Sequence, residues 1–200
     1  KNKQVDRIGS MQKKGREIRM NSSKFTQKSI EAIQRCEKAA YEYGNQEIAQ
    51  EHLLLSLLEV EDSLILKLIE KMEIHKEHFT NRTIQTLEKR VKVQGGQVYM
   101  GQDLNKVLIS AEEEAKQMGD EYVSVEHLFL SLLKHANTEL KKLFAEYGLT
   151  RERFLQALAM VRGNQKVTSD NPEGTYDTLN KYGQELVEKA RNQKLDPVIG

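Results

Sequence analysis

Cysteine is almost missing from this 200-residue chain, aromatic residues make up only 6% of it, and neither sign of charge is in excess. Each shortage excludes something. A single thiol, Cys36, cannot close an internal disulfide. Thirty-one Lys and Arg face thirty Asp and Glu, a formal charge of +1, which removes the electrostatic case for a dedicated nucleic-acid or anionic-membrane binder. Any partner must then be found by shape and apolar contact. No apolar run reaches the ~18 residues of a membrane span, and nothing has the pattern of a secretory leader, so the chain reads as cytoplasmic. With 38% hydrophobic and 30% charged residues, it fits one or two small globular domains.

Motifs for chemistry are equally scarce. No G-x-x-x-x-G-K-[ST] phosphate loop occurs. His52 and His127 each follow a glutamate at the start of a helix pattern, but neither sits in an H-E-x-x-H metal motif; a helix-start hydrogen-bonding role is the expectation. His75 and His78 lack a third ligand and read as solvated. Cys36 shares a small-residue face with Ala40 and reads as a buried small hydrophobe. Glu112, Glu113 and Glu114 read as a solvated face rather than a catalytic carboxylate pair. No nucleophile stands beside a base, so no catalytic residue is assigned, no metal is expected, and this region should not be an enzyme.

What is present is a repetition. EHLLLSLL at Glu51 to Leu58 returns as EHLFLSLL at Glu126 to Leu133, 75 positions later, with seven of eight letters identical. The same shift aligns the chain without a gap from Gln27/Gln102 to Phe79/Phe154, matching Ala40/Ala115, Gly44/Gly119, Leu68/Leu143 and Glu77/Glu152. Internal duplication is the simplest account. Spacing near 3.6 predicts four helices per copy, with an apolar central helix at the repeated phrase. In copy one the stripes are Ile30, Ile33, Cys36 and Ala40, stopping at Gly44; Leu53, Leu54, Leu57 and Leu58 from about Gln50; Leu64, Ile65, Leu68, Ile69 and Met72; and Phe79, Ile84, Leu87 and Val91. Copy two repeats them with Leu104, Val107, Leu108, Ala111 and Ala115, then Leu128 to Leu133, then Leu140, Leu143 and Phe144, then Phe154, Leu155, Leu158 and Val161. No stretch reads as a strand, which gives an all-α fold of two pseudo-repeats.

The boundaries follow from composition. Repeat one is taken as residues 25–92 and repeat two as 100–162, within a domain of 22–163. Residues 164–175 are polar and turn-rich with Pro172 and read as a flexible linker. A further helix is expected from about Tyr176 to Gln193, ending in KLDPVIG. The basic residues 1–19 read either as a disordered tail or as upstream sequence preceding a true start at Met20.

FTQKS at Phe25 to Ser29, the two EHL phrases, GDEYVSVEHL at Gly119 to Leu128, and KYGQELVEKARNQKLDPVIG at Lys181 to Gly200 resemble the N-terminal region of Clp-type AAA+ chaperones. The KYG-x-x-L opening and QVYMGQDLNKVL are similar to the ClpB disaggregase branch more than to the protease-partner branches, and LDPVIG in that family leads into the first ATPase module. The resemblance implies a domain that captures exposed apolar segments of aggregated proteins. The whole protein would be a hexameric, ATP- and Mg-dependent disaggregase working with DnaK-type chaperones after heat stress. This region would need no cofactor, would bind unfolded clients and its own AAA+ ring but neither nucleic acid nor membrane, and would be monomeric by itself.

Two packed copies create a groove at their junction. By resemblance, Thr26, Asp120 and Glu126 belong to a client site there. Phe25, Leu104, Leu108 and Tyr122 are candidate apolar lining, with ordinary core as the other reading of all four. The alternative is a ClpC-like receptor that holds phosphoarginine, or an adaptor, through a threonine and a glutamate per repeat. Thr26, Glu51 and Glu126 match that pattern, whereas Gly101 stands at the second threonine's place and supplies no hydroxyl.

Overall fold

The computed structural model describes residues 22–173 and 176. Eight α-helices carry the described fold: α1 Gln27–Glu42, α2 Gln50–Glu59, α3 Leu64–Lys71, α4 Lys76–Glu88, α5 Gln102–Gln117, α6 Val125–His135, α7 Thr138–Glu146 and α8 Arg151–Arg162. Each α1–α4 helix returns at a shift of about 75 in α5–α8, and the all-α reading holds. The terminal segment 1–19 and the expected helix beyond Tyr176 lie outside the described residues.

Local chemistry explains where the helices begin. Thr26, Ser63, Asn137 and Thr150 are N-caps whose side chains accept a backbone N–H from the first turn, at 3.2, 3.1, 3.0 and 3.2 Å. His75 does the same for α4 with its ring nitrogen. At the ends of α1 and α5, Gly44 and Gly119 take φ of 68° and 72°, a left-handed conformation that lets the chain turn at once into the next segment. One expected stripe fails: α4 stops at Glu88 and Val91 is 82% exposed. Its buried face is Phe79, Thr83, Thr86 and Leu87, with both threonine hydroxyls satisfied on carbonyls of their own helix.

The two central helices, α2 and α6, are almost wholly buried and pack on each other and on their own copies' first helices. Leu53, Leu54, Leu57, Leu128, Phe129 and Leu132 lie in a single core cluster that spans both copies. At the heart of copy two, Phe129 stacks on Phe154 at 4.6 Å and meets Phe144 edge-on at 5.9 Å.

Two short parallel contacts show how the copies interlock, although neither is long enough to carry a strand's alternation. Strands β1 (Glu47–Ile48) and β2 (Tyr99–Met100) pair with Ile48 opposite Met100. An isolated parallel bridge joins Phe25 to Val123. Adding 75 to Phe25 gives Met100, and adding 75 to Ile48 gives Val123. The two contacts are therefore the same contact made twice: the segment leading into each copy crosses over and pairs with the turn before the central helix of the other.

The composition reading of 164–175 as a flexible linker is corrected over 164–173, the part among the described residues. Residues 164–173 fold back onto the domain: Val167 is fully buried, and Pro172 and Glu173 are buried as well. Their hydrogen bonds reach both copies, as described next.

Candidate functional site

The crossover decides which candidate residues meet. Thr26 N–H donates to the Val123 carbonyl at 2.9 Å, and Val123 N–H donates to that of Lys24 at 2.7 Å. Thr26 of copy one is thereby carried to the start of α6, where Glu126 lies. Gly101 N–H donates to the Ile48 carbonyl at 2.9 Å, which places copy two's entry beside Glu47 and Glu51. The sequence pairing of Thr26 with Glu51 inside one copy is corrected: Thr26 is carried to the start of the Glu126 helix, and Gly101 to the Glu47–Ile48 turn that precedes Glu51. The missing hydroxyl therefore belongs to the Glu51 half. That half is closed sterically as well, because a Cβ at position 101 would come within 2.4 Å of the Glu47 carboxylate and 2.9 Å of the Ile48 carbonyl.

In the Glu51 half, the carboxylate is already engaged. Arg90 Nη1 donates to its Oε2 at 2.6 Å, and the Asn137 amide donates to its Oε1. His52 accepts the Ala49 N–H on Nδ1 at 2.8 Å, which puts the proton on Nε2, facing Asn45 Oδ1 at 2.9 Å. Burial first, and then the Arg90 charge, push this imidazole down to about 4. It stays neutral.

The Thr26 half repeats the device with an acid in place of the asparagine. His127 Nδ1 accepts the Ser124 N–H at 2.9 Å, and its Nε2 donates to Asp120 Oδ2 at 2.7 Å. Asp120 Oδ1 accepts from Arg162 Nη2 and from the Val167 N–H, the latter at 3.0 Å. Burial alone would raise the Asp120 carboxyl, but the hydrogen bonds from His127, Arg162 and Val167 outweigh it and hold it below the usual carboxylate range. Both histidines thus serve helix starts, as expected, and no group of three His, Cys, Asp or Glu among the described residues is placed to hold a metal.

Glu126 lies at the centre, with no exposed surface. Ser124 Oγ donates to its Oε1, and its Oε2 stands 3.6 Å from Arg162 Nη1. Glu173, from the returning segment, is 6% exposed and accepts the Thr26 hydroxyl at 2.9 Å. Burial, then the neighbouring Glu173 charge, push the Glu126 carboxyl up to about 8, against the pull of Arg162. Glu173 is raised as well, chiefly by burial.

A pH dependence follows. The folded-state value lies above the ordinary 4.5, so the folded domain holds a proton that the unfolded chain releases, and stability falls as pH rises from that value through about 8. One proton allows at most about 1.4 kcal/mol per pH unit. Urea midpoints should therefore fall between pH 6 and pH 8, by the equivalent of about 2 kcal/mol if Glu126 alone titrates. A Glu126→Gln variant should flatten that slope; an unchanged slope in the variant assigns the proton elsewhere.

The apolar candidates are corrected by their burial. Phe25, Leu104 and Leu108 are 2%, 1% and 0% exposed and belong to the core, not to an open groove. Tyr122 stays partly exposed beside the Phe25/Val123 pair, and Ile30, one turn into α1, does too. The acidic run is also not wholly solvated: Glu114 is 2% exposed and takes a two-pronged pair from Arg151 at 2.8 and 2.6 Å. Cys36 is buried as expected, and burial pushes its thiol up to about 12. His78 is exposed and reaches the Tyr147 hydroxyl. A separate open cavity of about 610 Å3 lies on copy two, with Leu133, Phe144 and Leu149 inside and Lys134 and Lys141 at its rim; none of the sequence-predicted site residues lines it. Sequence reasoning missed Arg162 and Glu173, which hold the junction together.

Comparison with known proteins gives this architecture a context. The profile of the Clp repeat N-terminal domain matches residues 24–147. The chain is 44% identical over 187 residues to the chaperone protein ClpB of Nitratidesulfovibrio vulgaris, covering 90% of this chain and 22% of that protein. It is 38% identical over 186 residues to that of Bacillus cereus, covering 90% and 21%. The chain thus spans about a fifth of the length of these relatives. Among solved structures, the Hsp104 N-terminal domain from Candida albicans superposes with a TM-score of 0.65 at 22% identity, covering 74% of this chain and 98% of that one. A complex of a ClpV N-domain with a VipB peptide superposes with a TM-score of 0.57 at 19% identity, covering 79% and 98%. Both show likeness of fold. Among the described residues, no helix is long and apolar enough to cross a membrane.

Proposed function

Because the chain belongs to the Clp repeat N-terminal domain family, and within it to the ClpB type, we propose that it is the client-capturing head of an ATP-driven disaggregase. The observation that carries this reading is the convergence of two segments a hundred residues apart in sequence, Phe25–Thr26 and Val123–Glu126, on one junction with partly exposed apolar edges. A domain of the same fold is named as holding a peptide.

Capture proceeds by apolar contact. Tyr122 and Ile30 offer the client apolar surface, while Thr26, Glu126 and Asp120 lie buried beneath and fix the junction's shape. Burial at ~25 cal/mol per Å2 drives the contact, and ordering costs keep it weak, which suits a head that hands clients onward. In the whole protein, a hexameric ring would use ATP and Mg for threading, with DnaK-type chaperones delivering clients in heat-stress recovery. Tethering to that ring raises the client's local concentration at the pore.

The test is a double variant, Ile30→Ser with Tyr122→Ser. Removing two partly exposed apolar side chains should weaken binding of an unfolded, reduced and carboxymethylated lactalbumin about tenfold, since tenfold corresponds to about 1.4 kcal/mol. Far-ultraviolet circular dichroism should be unchanged. Unaltered binding by a folded variant would move client capture off this junction.

A further inference from the structure

The segment that returns after α8 lies across the junction in the manner of a bound peptide. Lys166 Nζ donates to the Met118 carbonyl at 2.6 Å, and Glu121 N–H donates to the Val167 carbonyl at 2.8 Å. Gln27 N–H donates to the Asp170 carbonyl at 2.8 Å, while the Gln27 side-chain amide reaches the Asp170 carboxylate at 3.0 Å. Glu173 then takes the Thr26 hydroxyl. Residues Thr168 to Asn171 between these anchors are exposed. Copy one handles its equivalent segment differently: after α4, Val93 N–H donates to the Gly44 carbonyl, and the chain goes on to form β2, which is part of the interlock itself.

The closed arrangement also leaves buried polar atoms outside hydrogen-bond distance of a partner among the described residues, Glu126 Oε2 and Arg162 Nη1 facing each other only at 3.6 Å. Four buried side-chain atoms have no hydrogen-bond partner among the described residues, and all four belong to this cluster: Glu126 Oε2, Arg162 Nη1, Glu173 Oε2 and the Tyr176 hydroxyl. The Glu126 carboxyl faces a guanidinium that Asp120 already engages, and Glu173 is buried beside it with its one hydrogen bond on Thr26. Buried polar groups without partners carry a desolvation cost that opening the segment would relieve.

We propose that Lys166–Glu173 is an intramolecular occupant of the client site, which a client must displace, and that its own chemistry describes a preferred ligand. That ligand is a segment with an apolar anchor, as at Val167, a bend, and then carboxylates three and six residues on, as at Asp170 and Glu173. The proposal rests on the junction being the client site. It makes apparent affinity equal to intrinsic affinity scaled by the fraction of open segment.

Two variants of the full chain test it, read by fluorescence anisotropy of labelled, unfolded lactalbumin and by amide shifts at the junction. Gln27→Cys with Asp170→Cys clamps the segment when oxidised; Cys36, being buried, does not compete. Val167→Ser with Glu173→Gln releases it. The expected result is client binding about tenfold weaker in the oxidised clamp, restored by reductant, and about threefold or more tighter in the release variant. Client shifts at the junction that are identical in clamped, released and parent chains would overturn the occupant and leave the junction as client site. Absence of client shifts at the junction even in the released chain would overturn the functional reading and, with it, this proposal.

Discussion

Replacing Arg162 with leucine is expected to cost roughly 3–5 kcal/mol of unfolding free energy, because it strands the buried Asp120 carboxylate without its counter-charge. Arg162 is 5% exposed, donates to Asp120 and to the Gln165 carbonyl at 2.7 Å, and stands beside Glu126. The loss comes mostly from what remains: Asp120 is held ionised by partners of which Arg162 is one, and no water-exposed path compensates it. Urea denaturation of Arg162→Leu measures this directly. Adding Asp120→Asn should recover part of the loss, since the stranded charge is then gone, and the double-mutant cycle isolates the coupling. The contrasting case is Arg82, whose pair with Glu146 at 2.9 Å is substantially exposed; Arg82→Ala should cost less than about 1 kcal/mol. An Arg162→Leu loss no larger than that of Arg82→Ala would mean that the junction is not organised by this guanidinium.

Phe129→Ala is the second large effect, at roughly 3–5 kcal/mol. Phe129 is the one letter by which the second phrase departs from the first, standing where copy one has Leu54. It is fully buried, stacked on Phe154 at 4.6 Å and edge-on to Phe144. Truncation removes the transfer free energy of the ring and leaves a cavity that three packed helices cannot close. Phe129→Leu, which gives copy two the phrase of copy one, should cost a smaller amount, about 1–2 kcal/mol. Equal losses for the two substitutions would show that the cost lies in the lost ring contacts and not in the volume removed.

The duplication, the eight helices and the roles of His52 and His127 could be read from the letters, because each rests on local spacing or on positions that repeat. The junction could not. Alignment of the copies says that Thr26 answers to Gly101 and Glu51 to Glu126, but not that each entry segment crosses to the other copy, which is what joins Thr26 to Glu126. That crossover runs through backbone hydrogen bonds two residues long, too short to leave a pattern of alternation. The returning segment was hidden for a related reason. Val167 is its one apolar anchor near α5, and the rest of its attachment runs through carbonyls and carboxylates that composition counts as solvated. Other signals were present. Leu104, Leu108, Ala111 and Ala115 share one face of α5, which argues for core rather than groove, and Glu114 follows Val107 and Ala111 on the same side, as its burial shows.

An inward-facing acid at Glu126 also gives the junction a chemical character of its own. The chain as a whole carries nearly balanced charge, while its junction gathers Asp120 and Glu126 around one arginine with Glu173 beside Glu126. A ligand that enters must replace those interactions as well as offer apolar area. Weak binding with broad choice of client is the outcome expected from that balance.

The most direct measurement of the central claim is an amide-shift titration of this chain with an unfolded apolar client, repeated with a phosphoarginine peptide. Saturable client shifts at Thr26, Asp120, Tyr122 and Glu126, with no response to phosphoarginine, are the predicted result. Saturable phosphoarginine shifts at Thr26, Glu51 and Glu126, with no response to the client, would contradict it.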